Sequence, residues 1–65
     1  MKTREMIAVL LAAGYRWNPR RGKGSHRVFR HPTRPTIVLP YHGENADIPE
    51  GGARAILERA GLRKR

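Results

Sequence analysis

Glycine and proline cut this chain into short pieces, and that punctuation limits the fold more than any other feature. Gly14, the Gly22 and Gly24 pair, Pro32 with Pro35, Pro40, and Gly61 leave intervals that hold one helix or one strand each. No interval reaches the roughly 20 apolar residues of a membrane span. At 65 residues the chain is expected to form one domain, residues 1–65. A domain this small buries only about 60% of its unfolded surface, so its core must be compact. It contains no cysteine, so neither a disulfide nor a thiolate-bound metal is expected, and three histidines alone do not make a structural zinc site.

The first interval predicts a helix from about Thr3 to Ala13. Thr3 is the expected N-cap, Glu5 favours the first turn, and Ile7, Leu10 and Leu11 have the spacing of one buried face. Gly14 should end it. Lys2 and Arg4 ahead of an apolar run, Met6 to Ala13, imitate a signal peptide. Glu5 interrupts the basic region, however, so the run is read as a core helix and the protein as cytoplasmic, with no membrane partner.

Tyr15-Arg16-Trp17 predicts a strand, short or at an edge because Pro19 cannot donate to a ladder. Arg21-Gly22-Lys23-Gly24 predicts a turn. Ser25 to His31 predicts a second strand, with His26, Val28 and Arg30 on one face and Arg27, Phe29 and His31 on the other. Pro32 to Pro35 reverses the chain, Thr36 to Leu39 predicts a third strand, and Pro40 ends it. After a polar loop, Asp47 or Ile48 should cap a second helix with Pro49 in its first turn. Ala53, Ile56, Leu57 and Ala60 are its apolar stripe, and Gly61 closes it. Gly51 and Gly52 would each cost about 1 kcal/mol inside a helix and are expected in the entry loop. Residues 63–65 form a basic tail. The predicted class is α+β, ordered α-β-β-β-α. Two helices pack on one face of a three-stranded antiparallel meander, as in a double-stranded-RNA-binding domain, and the other face stays open.

Charge directs attention to the middle of the chain. Between Tyr15 and Pro35 lie Arg16, Arg20, Arg21, Lys23, Arg27, Arg30 and Arg34 with no acid, most of a net charge of +9. Such a field suits a polyanion, nucleic acid first. Within it stands Gly24-Ser25-His26. An imidazole, with an ordinary pKa of about 6.5, both takes and gives protons near neutrality. RNA supplies its own nucleophile, the 2′-hydroxyl. A phosphate held by fixed cations beside one histidine is therefore cleavable without a metal or other cofactor. Gly24 would let backbone approach the phosphate, and Ser25 or an adjacent N–H would donate to it. Ser25 and His26, as strand neighbours, point to opposite faces and cannot act as a nucleophile–base pair. A histidine after Gly-Ser is also compatible with a plain phosphate or base contact. His31 reads as a strand-end residue, Phe29 as core, and Trp17 and Tyr15 as core or sheet-edge packing rather than base stacking. His42 is either a loop residue or a second acid/base.

These residues also carry a family resemblance. The opening helix ending Ala13-Gly14-Tyr15, then Lys23-Gly24-Ser25-His26, Phe29-Arg30-His31-Pro32, Ile37-Val38-Leu39-Pro40-Tyr41-His42, and the closing Arg54-Ala55-Ile56-Leu57 with Ala60-Gly61-Leu62 resemble the HicA (YcfA/HicA) toxins of toxin–antitoxin systems. The resemblance implies a double-stranded-RNA-binding-like fold. It implies a metal-independent mRNA endoribonuclease that halts translation, and a HicB-type antitoxin that covers the active site. The family's catalytic histidine corresponds to His26, with Gly24 ahead of it. Arg20, Arg21, Lys23, Arg27 and Arg30 are then the expected RNA-positioning cations, and Gly24 and Ser25 shape the turn. Gly52 and Ala53 stand where relatives usually carry threonine and leucine, which should weaken the start of the second helix. The rival classes are a non-catalytic RNA-binding module and a domain that holds an acidic protein partner.

Overall fold

The computed structural model describes residues 1–22 and 24–63. Lys23 and the end of the predicted tail, Lys64 and Arg65, lie outside the described residues. The order is α1 (Thr3–Ala12), β1 (Arg16–Asn18), β2 (His26–Arg30), β3 (Ile37–Pro40) and α2 (Glu50–Arg59). The strands form one antiparallel sheet in the order β1-β2-β3, as expected for strands joined by short reversals.

Register separates the two faces. Phe29 pairs with Ile37, and Leu39 lies two residues beyond Ile37 on the same face. All three are buried and share one core with Met6 and Leu10 of α1, Tyr15, Ile48, and Ala53 of α2 with Ala60 just beyond it. Both helices therefore cover this face. The other face carries Val28 opposite Val38, and Val38 is 55% exposed.

Several local expectations are corrected. The N-cap of α1 is Lys2, whose backbone N–H is accepted by Glu5. Thr3 is instead buried, and its hydroxyl donates to the Ala46 carbonyl at 3.0 Å. The buried stripe of α1 is Thr3, Met6 and Leu10, while Leu11 is 52% exposed. The helix is rotated toward Met6 because its N-terminal turn is tied to the 44–48 loop, through Thr3 N–H to Ala46 and Arg4 N–H to Glu44. Tyr15 is a buried core residue ahead of β1 rather than its first residue. Ser25 and His31 flank β2 and Thr36 precedes β3. Pro40 is the last residue of β3, opposite His26. A proline is tolerated there because β3 is an edge strand. In α2 the cap is Pro49, and Gly51 and Gly52 lie inside the first turn. Core contacts of Ala53 and Ala60 outweigh the poor propensity of two glycines.

The far end of the sheet is held by polar contacts. Arg34 donates to the Ala60 carbonyl at 2.7 Å, satisfying a carbonyl at the end of α2, and Arg59 donates to the Thr36 carbonyl at 3.0 Å. Tyr15 donates its hydroxyl to the Pro35 carbonyl at 2.8 Å. Burial pushes the Tyr15 phenol above its ordinary value, and Arg34 and Arg59 pull it partly back.

Candidate functional site

The site is built around the β1–β2 connection. Asn18 ends β1, and its side-chain oxygen accepts the Arg20 N–H at 3.1 Å while its carbonyl accepts the Arg21 N–H at 3.1 Å. This Asx turn bends the chain back toward the sheet. Gly22, at φ +85°, then approaches the open face so closely that a Cβ there would meet the His26 carbonyl oxygen at 2.7 Å and the Val28 side chain at 3.3 Å. Only glycine fits such an approach. The loop thereby covers Val28, which explains why a residue on the uncovered face is buried. Gly24, at φ +59°, has open space around it.

His26 is the first residue of β2 and is exposed. Strand alternation and its pairing with Pro40 put it on the uncovered face with Val28, Val38 and Arg30. Its ring makes no hydrogen bond or ion pair among the described residues. Arg20 and Arg21 are exposed on the loop beside it, and Ser25 immediately precedes it. The Ser25 carbonyl accepts the Tyr41 N–H, which extends the β2–β3 ladder past Pro40.

Arg30 is not adjacent to the histidine. It lies at the other end of β2, about 13 Å away at 3.3 Å per residue. There it pairs directly with Arg16, a residue outside the expected set. Like charges directly opposite each other oppose pairing, and no acid among the described residues neutralises them. The ion pairs among those residues are Lys2–Asp47 and Arg54–Glu50, both away from this face. Arg16 carried a sequence signal, its place in the acid-free stretch, but its alignment with Arg30 depends on the register. Arg27, expected among the same cations, lies on the opposite, helix-side face, between the rings of Trp17 and Tyr41.

The other two histidines differ. His31 is half-buried, and its Nε2 lies 3.0 Å from the Ala13 carbonyl. Its Nδ1 accepts backbone N–H groups from Thr33 at 3.1 Å and Arg34 at 3.2 Å. That pattern assigns the proton to Nε2 and a structural role to the ring, which also packs against Tyr15 with centroids 4.9 Å apart. His42 is exposed on the rim of an apolar groove between β3 and α2, near Ile48 and Ile56.

The uncovered face is thus a strip of arginines and one unpartnered imidazole, with an apolar floor. It can hold an extended polyanion along β2, with its two cationic ends about 13 Å apart, and offers a proton acceptor and donor at one end. No helix among the described residues is long and apolar enough to cross a membrane. Comparison with curated proteins finds no match. A family model described as the HicA toxin of bacterial toxin–antitoxin systems matches residues 3–62, from the first residue of α1 through the turn that closes α2. With nearly the whole chain matched and the expected element order present, the protein belongs to the HicA toxin family.

Proposed function

We propose that this toxin is an endoribonuclease acting on mRNA, with His26 as its general acid/base. One observation carries the proposal: an exposed imidazole without a partner among the described residues, set on a cationic sheet face beside a loop held against its own backbone. The ribose 2′-oxygen attacks the adjacent phosphorus. An O2′–P bond forms, the P–O5′ bond breaks, and the products are a 2′,3′-cyclic phosphate and a free 5′-hydroxyl. The 2′-hydroxyl loses one proton and the 5′-oxygen gains one. His26 handles one of these transfers and water the other. Arg20 and Arg21, with Lys23 from the same loop, stabilise the extra negative charge of the phosphorane. Gly24 and Ser25 shape the turn and supply N–H donors. Arg30 with Arg16 anchors the strand farther along the face. DNA, lacking the 2′-hydroxyl, is not cleaved. Loss of mRNA accounts for inhibition of translation, and a HicB-type antitoxin neutralises the toxin by covering this face.

His26→Ala tests the assignment. The expected result is a loss of RNA cleavage of about 10²–10⁴-fold, loss of growth inhibition, and an unchanged thermal unfolding midpoint. Wild-type cleavage in EDTA is expected as well. Full cleavage by the variant, or a strict metal requirement, would end the proposal. RNA retained by the wild-type protein without cleavage would favour the non-catalytic binding module. Co-expression of a small protein encoded beside this gene is expected to restore growth.

A further inference from the structure

A second cluster lies on the other face of the sheet, running diagonally from the middle of β1 to the residue after β3. The guanidinium of Arg27 sits 4.5 Å from the Trp17 ring centroid and 3.6 Å from that of Tyr41. Register explains the grouping. Trp17 pairs with Phe29 and Arg27 with Leu39, and Tyr41 directly follows the last residue of β3, so the three side chains share one face and meet on a diagonal. The face is the one the helices cover, but this corner lies beyond them: Trp17 is 46% exposed. Arg27 makes no ion pair, and its N–H groups donate to no protein acceptor among the described residues. A planar fork is therefore held against two rings with its donors free among the described residues, and one of the two aromatic residues, Trp17, is partly exposed.

Simple packing does not account for this arrangement well. A purely structural arginine in this fold has its donors taken up by the protein, as Arg34 and Arg59 do with backbone carbonyls. Here the charge sits in a chain with an excess of cations, next in sequence to His26, and the neighbouring Trp17, opposite Phe29 on the edge strand β1, is 46% exposed. Stacking on an aromatic is the sequence-tolerant way to hold an unpaired base, and a fixed arginine fork reads the acceptor pair of a guanine or grips a phosphate. With RNA as the ligand proposed above, we infer that Trp17, Arg27 and Tyr41 form a base-stacking subsite. It holds an unpaired base neighbouring the scissile phosphate on the Trp17 ring, and Arg27, kept in place by both rings, contributes to the sequence preference of cleavage. Because β1 is an edge strand that pairs only with Val28 to Arg30, a strand leaving His26 can pass around the end of β1 to reach this subsite on the other face.

Trp17 is the sole tryptophan of the chain, so its emission reports this site alone. The test uses the full chain carrying His26→Ala, titrated with short mixed-sequence single-stranded RNA. Binding is followed by the anisotropy of a labelled strand and, in parallel, by Trp17 fluorescence. Quenching of Trp17 that saturates with the anisotropy signal is expected. On the otherwise wild-type background, Trp17→Leu should raise KM by about tenfold or more and redistribute the mapped cleavage positions. Arg27→Lys, which keeps the charge and loses the planar fork, should redistribute them with a smaller KM change. Unfolding midpoints accompany each variant, so a merely structural staple is recognised by lost stability with unmoved KM and cleavage positions. RNA that binds without altering Trp17 emission, or an unchanged cleavage map in both variants, overturns the subsite and leaves the His26 assignment standing. Absence of any RNA binding overturns both.

Discussion

His26 and His31 sit at the two ends of the same strand and are treated in opposite ways. The ring of His31 has all its hydrogen-bonding capacity used by the Ala13 carbonyl and by the Thr33 and Arg34 amides. His26, exposed and preceded by a loop rich in arginine, uses none of its own among the described residues. The same contrast holds for the arginines around them. Arg34 and Arg59 donate to backbone carbonyls and tie α2 to the sheet, whereas Arg16 and Arg30 face each other without an acid. One end of the molecule satisfies its polar groups internally. On the uncovered face His26, Arg16 and Arg30 have no such partners among the described residues, and that lack is what the proposed RNA site rests on.

Exchange of the two histidines gives the sharpest test of this contrast. His26→Ala should abolish cleavage with stability intact. His31→Ala should do the reverse, lowering stability by about 1–2 kcal/mol through loss of the part-buried bond to the Ala13 carbonyl and of packing against Tyr15. Its specific activity per folded molecule should be retained, as checked by denaturant unfolding alongside cleavage of a reporter RNA. Activity that disappears in the folded His31 variant would break the division between the two ends.

Next in size is Gly22→Ala. Its positive φ costs about 1–2 kcal/mol for an L-residue, and its Cβ displaces the loop from the His26 backbone. Activity should fall further than the stability loss explains. Gly24→Ala, with open space around the new methyl group, should lose less activity, and equal losses would show that loop placement does not matter.

A smaller and opposite pair of effects is expected for Arg16→Gln. Removing one of two facing like charges should leave stability unchanged or raise it by about 0.2–1 kcal/mol while weakening RNA binding. If about five cations meet phosphates, log affinity falls with log salt at a slope near −3.5, and the variant should shallow it by about 0.7.

The smallest effect belongs to the structural end. The folded state holds the Tyr15 proton more tightly than the unfolded chain, because burial raises its value above 10.0. Its contribution to stability is therefore complete below about pH 10 and is lost as pH rises through the raised folded value. Unfolding midpoints measured from pH 8 to 12 should fall at the alkaline end, and more steeply than for Tyr15→Phe.

Much of this was legible in residue order. Gly14, Gly61 and the prolines between β2 and β3 bound the elements where turn chemistry requires them, and alternation alone put His26 and Arg30 on the face opposite Phe29. What alternation cannot carry is distance and partnership. His26 and Arg30 share a face yet lie at opposite ends of it, and Arg27 shares a strand with both yet faces away into two rings. The rotation of α1 that exposes Leu11 and buries Thr3 was equally hidden, because it is decided by the 44–48 loop, far away in sequence. Sequence by itself determined the element order, the excess of positive charge and the place of His26 within it, since these follow from local propensity and composition. Tertiary structure decided which cations face each other, which histidine is left without partners and which glycine carries the loop onto the sheet. Those outcomes depend on strand register and long-range backbone contacts, which local sequence does not encode one residue at a time.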